Sequence, residues 1–262
     1  METNPLIEEY DNLLQEYSGL VVAAFDKEDY YRYNEDMFTA HSCAIEGNSF
    51  SVNDTRELRE QGLKLKLQNK SLFEAYEILD HFNAFDFVLN NLQLPLTEDF
   101  IKKTHALLTE HTHLYATGHT AGEYTTTDMA AGDTVFGDHE KNIAALPKLL
   151  ESTQAAIEKR ELHPVLLSAR FHYYFIYLHP FRDGNGRLGR LLSNFILAQA
   201  GHPLIIIPSE KKQEYIDCLK VTKKHNANYV IENFFLNTAR ERMKREIAAK
   251  NNGIENFEFS KE

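Results

Sequence analysis

A chain of 262 residues with 43% hydrophobic content can bury one large core without help from metals or cross-links. Its formal net charge of −11 argues against a nucleic-acid-binding surface, and its two distant cysteines, Cys43 and Cys218, exclude a disulfide framework and fit a reducing compartment. The start of the chain lacks a basic-then-apolar leader, and runs such as Leu20–Phe25 fall far short of the ~18 residues of a membrane span, so a cytoplasmic protein without membrane contact is expected.

Apolar spacing predicts helices over about 5–17, 28–46, 53–61, 72–92, 97–112, 139–159, 163–178, 187–200, 210–223 and 227–249. The first is open to two readings, an accessory helix or a contact in a homo-oligomer. In the second, Tyr30, Tyr33, Met37, Phe38 and Ile45 form a broken apolar stripe, Ser42 and Glu46 share a face, and Gly47 followed by Asn48 is a helix stop. A Glu at a helix C-terminus is a mild dipole mismatch. Further along, His105, His111, His113 and His119 lack the i,i+4 spacing of a zinc helix. Between His119 and Asp138 the threonines at 125–127 favour extended backbone, and glycines bound the segment. The helix at 163–178 is apolar nearly all round in its second half, which predicts a central position and places His179 at the end of a rigid element. Residues 251–262 read as a frayed tail after a single domain spanning 1–250.

The most informative stretch is His179-Pro-Phe-Arg-Asp-Gly-Asn-Gly-Arg-Leu-Gly-Arg190. Pro180 disfavours helix at His179, while Leu188, Leu191, Leu192 and Phe195 fall at helical spacing beyond it. The loop between them, Asp183 to Gly186, is rich in residues that accept positive φ, so successive backbone N–H groups can converge at a helix N-terminus as an anion site. Arg187 and Arg190 share a face in the first turns of that helix, where cations oppose the macrodipole. A bound polyanion removes the mismatch. Asp183 supplies a hard oxygen for Mg²⁺, and His179 can take a proton near neutral pH. Base, metal ligand, phosphate nest and arginine clamp together read as phosphoryl or nucleotidyl transfer.

This run resembles the Fic-domain pattern, His-x-Phe-x-Asp/Glu-Gly-Asn-Gly-Arg-x-x-Arg, at every defined position. The similarity extends from about residue 30 to about residue 238. The resemblance implies an all-α bundle with a small β-hairpin flap and a core at about 72–238. It also implies transfer of AMP from ATP to a Ser, Thr or Tyr hydroxyl of a target protein. On that reading His179 is the general base and Phe181 anchors the loop. Asp183 holds Mg²⁺, Gly184, Asn185 and Gly186 cradle phosphates, and Arg187 and Arg190 neutralise the departing pyrophosphate.

Beside that motif, Ser42-Cys-Ala-Ile-Glu46-Gly47 is similar to the family's inhibitory helix, which makes 5–47 an accessory and inhibitory region. The likeness implies that Glu46 pairs with Arg190 and blocks a productive ATP pose. It also implies a flap whose tip strand, Met129, Ala130, Ala131 and Gly132, covers the nucleotide and pairs with the target. Thr125, Ala130 and Ala131 depart from the family's usual residues there. Tyr215 lies where an aromatic contacts adenine, or is a core tyrosine. Two alternatives stay open: removal of AMP with Glu46 positioning a water, and a nucleotide-responsive interaction module without transfer.

Overall fold

The computed structural model describes residues 5–66, 69–116, 118–131 and 134–253. Eleven α-helices are found there: α1 Pro5–Leu20, α2 Lys27–Glu46, α3 Val52–Gln61, α4 Leu72–Leu89, α5 Glu98–Thr109, α6 His113–Ala116, α7 His139–Lys159, α8 Pro164–Leu178, α9 Asn185–Gln199, α10 Lys212–His225 and α11 Tyr229–Asn251. Local chemistry sets many of the ends. Ser51 with Asp54, and Ser71 with Glu74, form capping boxes on α3 and α4. Asp26 caps α2, and Gly47 ends it with φ +111°. Single-turn α6 is the one helix absent from the periodicity, because four residues are too short to show a period. The tail expected at 251–262 falls mostly on 254–262, outside the described residues.

Sequence periodicity puts α8 at the centre, but α9 is the more enclosed helix. Twelve of the 15 residues of α9 are buried, whereas Tyr174 and Tyr177 in the second half of α8 are 39% and 37% exposed. Phe171 and Phe175 of α8 pack with Leu188, Leu191, Leu192 and Phe195 of α9 in one core, and a Cβ at Gly189 would lie 2.9 Å from Ile176 Cδ1. The close α8–α9 approach fixes the two ends of the loop that joins them. At the C-terminal end of α8, Tyr173, Ile176 and Tyr177 line a cavity, which leaves that face of the helix partly open.

The amino-terminal helix packs on the body of the fold, with Tyr10 and Tyr17 fully buried. A buried polar network ties α1, α2 and α11 together. Arg242 donates to Glu246 Oε1, the Leu204 carbonyl and Asn34 Oδ1, each at 2.7 Å. Glu246 also accepts from Tyr17 (2.6 Å) and Tyr33 (2.9 Å). This network holds the upper part of α2 against the body of the fold.

The only sheet among the described residues is a two-stranded antiparallel hairpin, β1 Ala130–Ala131 and β2 Thr134–Val135, with Ala130 opposite Val135 and Ala131 opposite Thr134. No helix of the described residues is long and apolar enough to cross a membrane.

Candidate active site

Helix α8 stops at Leu178, and His179 takes a left-handed conformation (φ +46°) that closes the helix through a bond from its N–H to the Phe175 carbonyl. Such backbone is rarely adopted by a side-chain-bearing residue and marks a position that the surroundings over-determine. After Pro180, Phe181 turns inward and is fully buried, stacked on His105 with ring centroids 3.8 Å apart. Gly184, at φ +78°, is the N-cap of α9. A Cβ there would lie 2.9 Å from Thr109 Cγ2, so glycine is required for space as well as conformation.

Asn185 ties the loop together with its side chain. Its Oδ1 accepts from the Phe181 N–H (3.0 Å) and its Nδ2 donates to the Phe181 carbonyl (2.7 Å). The amide thus braces the loop from both ends, and the first turn of α9 adds backbone N–H groups that lack intrahelical partners. The Asp183 backbone is clamped as well. Its N–H donates to Tyr115 Oη (3.2 Å), and its carbonyl faces His105 Nε2 at 2.9 Å. Because His105 Nδ1 accepts from the Gly122 N–H at 2.9 Å, Nε2 is the donor to that carbonyl. The Asp183 side chain remains 47% exposed, with Oδ2 accepting from Arg187 at 3.2 Å.

Both motif arginines are buried and neutralised by carboxylates. Arg187 pairs with Asp183 and with Glu77 of α4. The other oxygen of Glu77 accepts from Asn48 Nδ2 at 2.6 Å. Arg190 donates through Nε to Ser42 Oγ (3.1 Å), and through Nη2 to the Ser42 carbonyl and Glu46 Oε1, both at 2.7 Å. Burial pushes the Glu46 carboxyl up, but the charge and hydrogen bond of Arg190 more than reverse this, leaving it below the usual range. Glu46 is thus ionised at neutral pH. A Cβ at Gly186 would lie 2.2 Å from Glu46 Oε1, so this glycine is what admits the carboxylate.

One cavity of about 290 Å³ joins Glu46, Gly186, Arg190, His179 and Tyr215, with Phe136 and Thr134 on the hairpin side and Lys212, Lys220 and Lys223 from α10. His179 lies stacked on Phe136, with centroids 3.8 Å apart and planes 14° from parallel. Burial lowers its imidazole to about 4, against smaller opposing effects of the Ile176 carbonyl, Asp183 and Glu46. It is therefore neutral, the form that accepts a proton. Tyr215 is buried, with its hydroxyl 2.8 Å from His172 Nε2. Burial pushes that phenol up to about 12.

The structure thus gathers His179, Gly186, Arg190, Glu46 and Tyr215 around one space, with Ser42 on Arg190 and Gly47 ending α2 just behind. Asp183 and Gly184 on the adjoining loop, and Asn185 and Arg187 in the first turn of α9, are not among the residues lining that space. On the flap, the lining residues are Thr134 and Phe136, and Met129 and Ala130 are not among them, while the Ala131 side chain and Gly132 lie outside what is described. The Met129 carbonyl accepts from the Phe136 N–H at 3.0 Å and closes the hairpin. The sequence does not single out Glu77, His105, Tyr115, Phe136 and His172 as site residues: the first four reach the site from elements far away along the chain, and His172, though on α8, meets Tyr215 of α10 only in the folded state.

The Fic/DOC family pattern matches residues 95–197. The protein adenylyltransferase Fic of Nematostella vectensis is 36% identical over 185 residues, which cover 68% of this chain and 41% of the relative. The chain belongs to the Fic/DOC family. The Culex quinquefasciatus relative of the same name is 34% identical over 185 residues, covering 69% of this chain and 35% of its own. This Fic-family chain therefore spans between about a third and two fifths of the curated relatives it matches. A Fic-domain-containing signalling protein from Bacteroides thetaiotaomicron superposes with a TM-score of 0.80 at 26% identity, over 93% of this chain and 97% of that one. Fic-1 from C. elegans shares the fold, with a TM-score of 0.75 at 24% identity over 94% of this chain and 71% of that one.

Proposed function

We propose that this chain is a Mg²⁺-dependent protein adenylyltransferase that moves AMP from ATP to a Ser, Thr or Tyr hydroxyl of a target protein and is held in check by Glu46. The observation that carries this reading is the one cavity shared by a neutral, half-buried His179 and an Arg190 already engaged by Glu46. The names of the relatives point the same way.

In the reaction, the target oxygen attacks the α-phosphorus in line, the bond from that phosphorus to the bridging oxygen of the β-phosphate breaks, and pyrophosphate leaves. His179 takes the hydroxyl proton. The α9 N-terminus and the two arginines hold the phosphates. Asp183 fits Mg²⁺, since its backbone is clamped on both sides and its half-exposed carboxylate has one oxygen free of arginine. The ion, when bound, neutralises charge on the leaving group. The target docks as an added strand on the hairpin.

Glu46 restrains the reaction by holding the arginine that the γ-phosphate needs. The direct test is incubation with α-labelled ATP and Mg²⁺, comparing the parent with Glu46→Gly. A second reading is supported by the ionised state of Glu46 beside the same cavity: it would orient a water to release AMP from a modified protein. Loss of label from an adenylylated target on adding the parent, but not Glu46→Gly, would favour that direction. A nucleotide-responsive module without transfer is the outcome if ATP binds and no variant transfers.

A further inference from the structure

The segment that carries the hairpin is attached to the catalytic loop on either side of it, at Thr125 and Phe136, and both contacts flank the base. The Thr125 N–H donates to the Pro180 carbonyl at 2.9 Å. Phe136 lays its ring on the His179 imidazole at 3.8 Å. The Phe136 backbone is itself clamped, its N–H donating to the Met129 carbonyl (3.0 Å) and its carbonyl accepting from Asn142 Nδ2 (2.8 Å). Its ring is 8% exposed, so it has one place to go.

The imidazole is less well held by polar groups. His179 Nδ1 is buried without a well-aligned hydrogen-bond partner among the described residues, although the Ile176 carbonyl lies near the ring. Ring torsions of histidine are broad and nearly two-fold when nothing fixes them. The stacked Phe136 ring covers one face of the imidazole, nearly parallel to it. The hairpin that carries it has two residues per strand, too few to be stable alone. Val135, next to Phe136, is 65% exposed at its edge.

We infer that Phe136 is the positioning residue for His179, so that placing the hairpin and aiming the base are one event. This rests on the transferase reading given above. A target strand that orders the hairpin would then also align the group that takes its own hydroxyl proton, and a nucleotide bound without a target would meet a less constrained base.

The test uses the full chain carrying Glu46→Gly, with Phe136→Leu and Phe136→Tyr added separately. Leucine keeps the apolar filling but loses the flat face; tyrosine keeps the face. A displacement of the order of 1 Å at a reacting group costs about 10²-fold, so Phe136→Leu should lower kcat for transfer from labelled ATP by about 10–100-fold. KM for ATP should stay within about twofold, and Phe136→Tyr should recover most of the loss. Unchanged kcat in the leucine variant, equal loss in both variants, or a KM that rises in step would overturn the inference. A readout independent of activity is the NMR position of the His179 ring C–H signals, assigned by their absence in His179→Ala. Stacking shifts them upfield, and Phe136→Leu should move them back downfield. If they do not move, the contact is absent in solution and the inference fails, whether or not any Glu46 variant transfers AMP.

Discussion

Replacing Glu46 is the sharpest perturbation of this site, because one contact carries the whole regulatory argument. Arg190 Nη2 donates to Glu46 Oε1 at 2.7 Å, and the same guanidinium keeps Ser42 as a second partner. A hydrogen bond between charged groups contributes about 1.5–3 kcal/mol. The Glu46 side chain is 39% exposed, so solvent screening puts this one at the low end of that range. An ATP γ-phosphate must displace the carboxylate to reach Arg190. At 1.4 kcal/mol per factor of ten, removing the competitor should raise the productive fraction by about tenfold or somewhat more. Arg190 would not be orphaned, since Ser42 still accepts from it. Auto-labelling with α-labelled ATP, followed as an initial rate, reads the gain directly. Glu46→Gln, which keeps the volume and loses the charge, should fall between parent and Glu46→Gly. Equal rates in parent and glycine variant would refute autoinhibition by Glu46, and a glutamine variant as slow as the parent would show that bulk and not charge does the blocking.

Four other outcomes follow from the same geometry. In the Glu46→Gly background, His179→Ala should reduce transfer by about 10²–10⁴ while calorimetry still detects ATP binding; transfer that persists would remove His179 from the mechanism. Since burial lowers His179 from 6.5 to about 4, the active neutral form is present above that value, so the rate should rise through about pH 4 and show no His179 limb near 6.5. The same group binds its proton first in the unfolded chain, so its contribution to stability is lost as pH falls from 6.5 through 4. Asp183→Ala, or EDTA added to the chain with Asp183 intact, should abolish labelling without changing the circular dichroism, and robust transfer in EDTA would sink the metal role. Arg242→Met leaves Glu246 buried without its cation and should destabilise the fold by about 3–5 kcal/mol in chemical denaturation; a change below 1 kcal/mol would mean the network does not hold α2 in place.

Much of this molecule was legible in the chain itself. Helix positions come from local effects, namely apolar period, capping boxes at Ser51 and Ser71, the left-handed stop at Gly47 and the proline after His179, and these act within a few residues whatever the fold. The order of His179, Asp183, Gly186, Arg187 and Arg190 was equally readable, because a phosphate-binding loop draws its groups from one short run. Even Glu46, 144 residues from Arg190, was reachable through the six-residue run from Ser42 to Gly47 and a family resemblance. What the chain alone did not show is everything that depends on which distant side chain arrives opposite. Glu77 on Arg187, His105 and Tyr115 on the Asp183 backbone, His172 on Tyr215 and Phe136 on His179 come from separate elements and carry no shared period or motif. Asn185 shows the same divide in one residue: its place in the motif implies a phosphate cradle, and only the folded loop shows that both ends of its amide also hold Phe181. Enclosure was misread for a related reason. An apolar run reports that α8 wants cover, but only packing decides that α9 receives the fuller share and that Tyr174 and Tyr177 stay partly open. Local propensity is a property of neighbours in sequence, whereas the environment of a functional group is set by neighbours in space, and those exist only once the helices have packed.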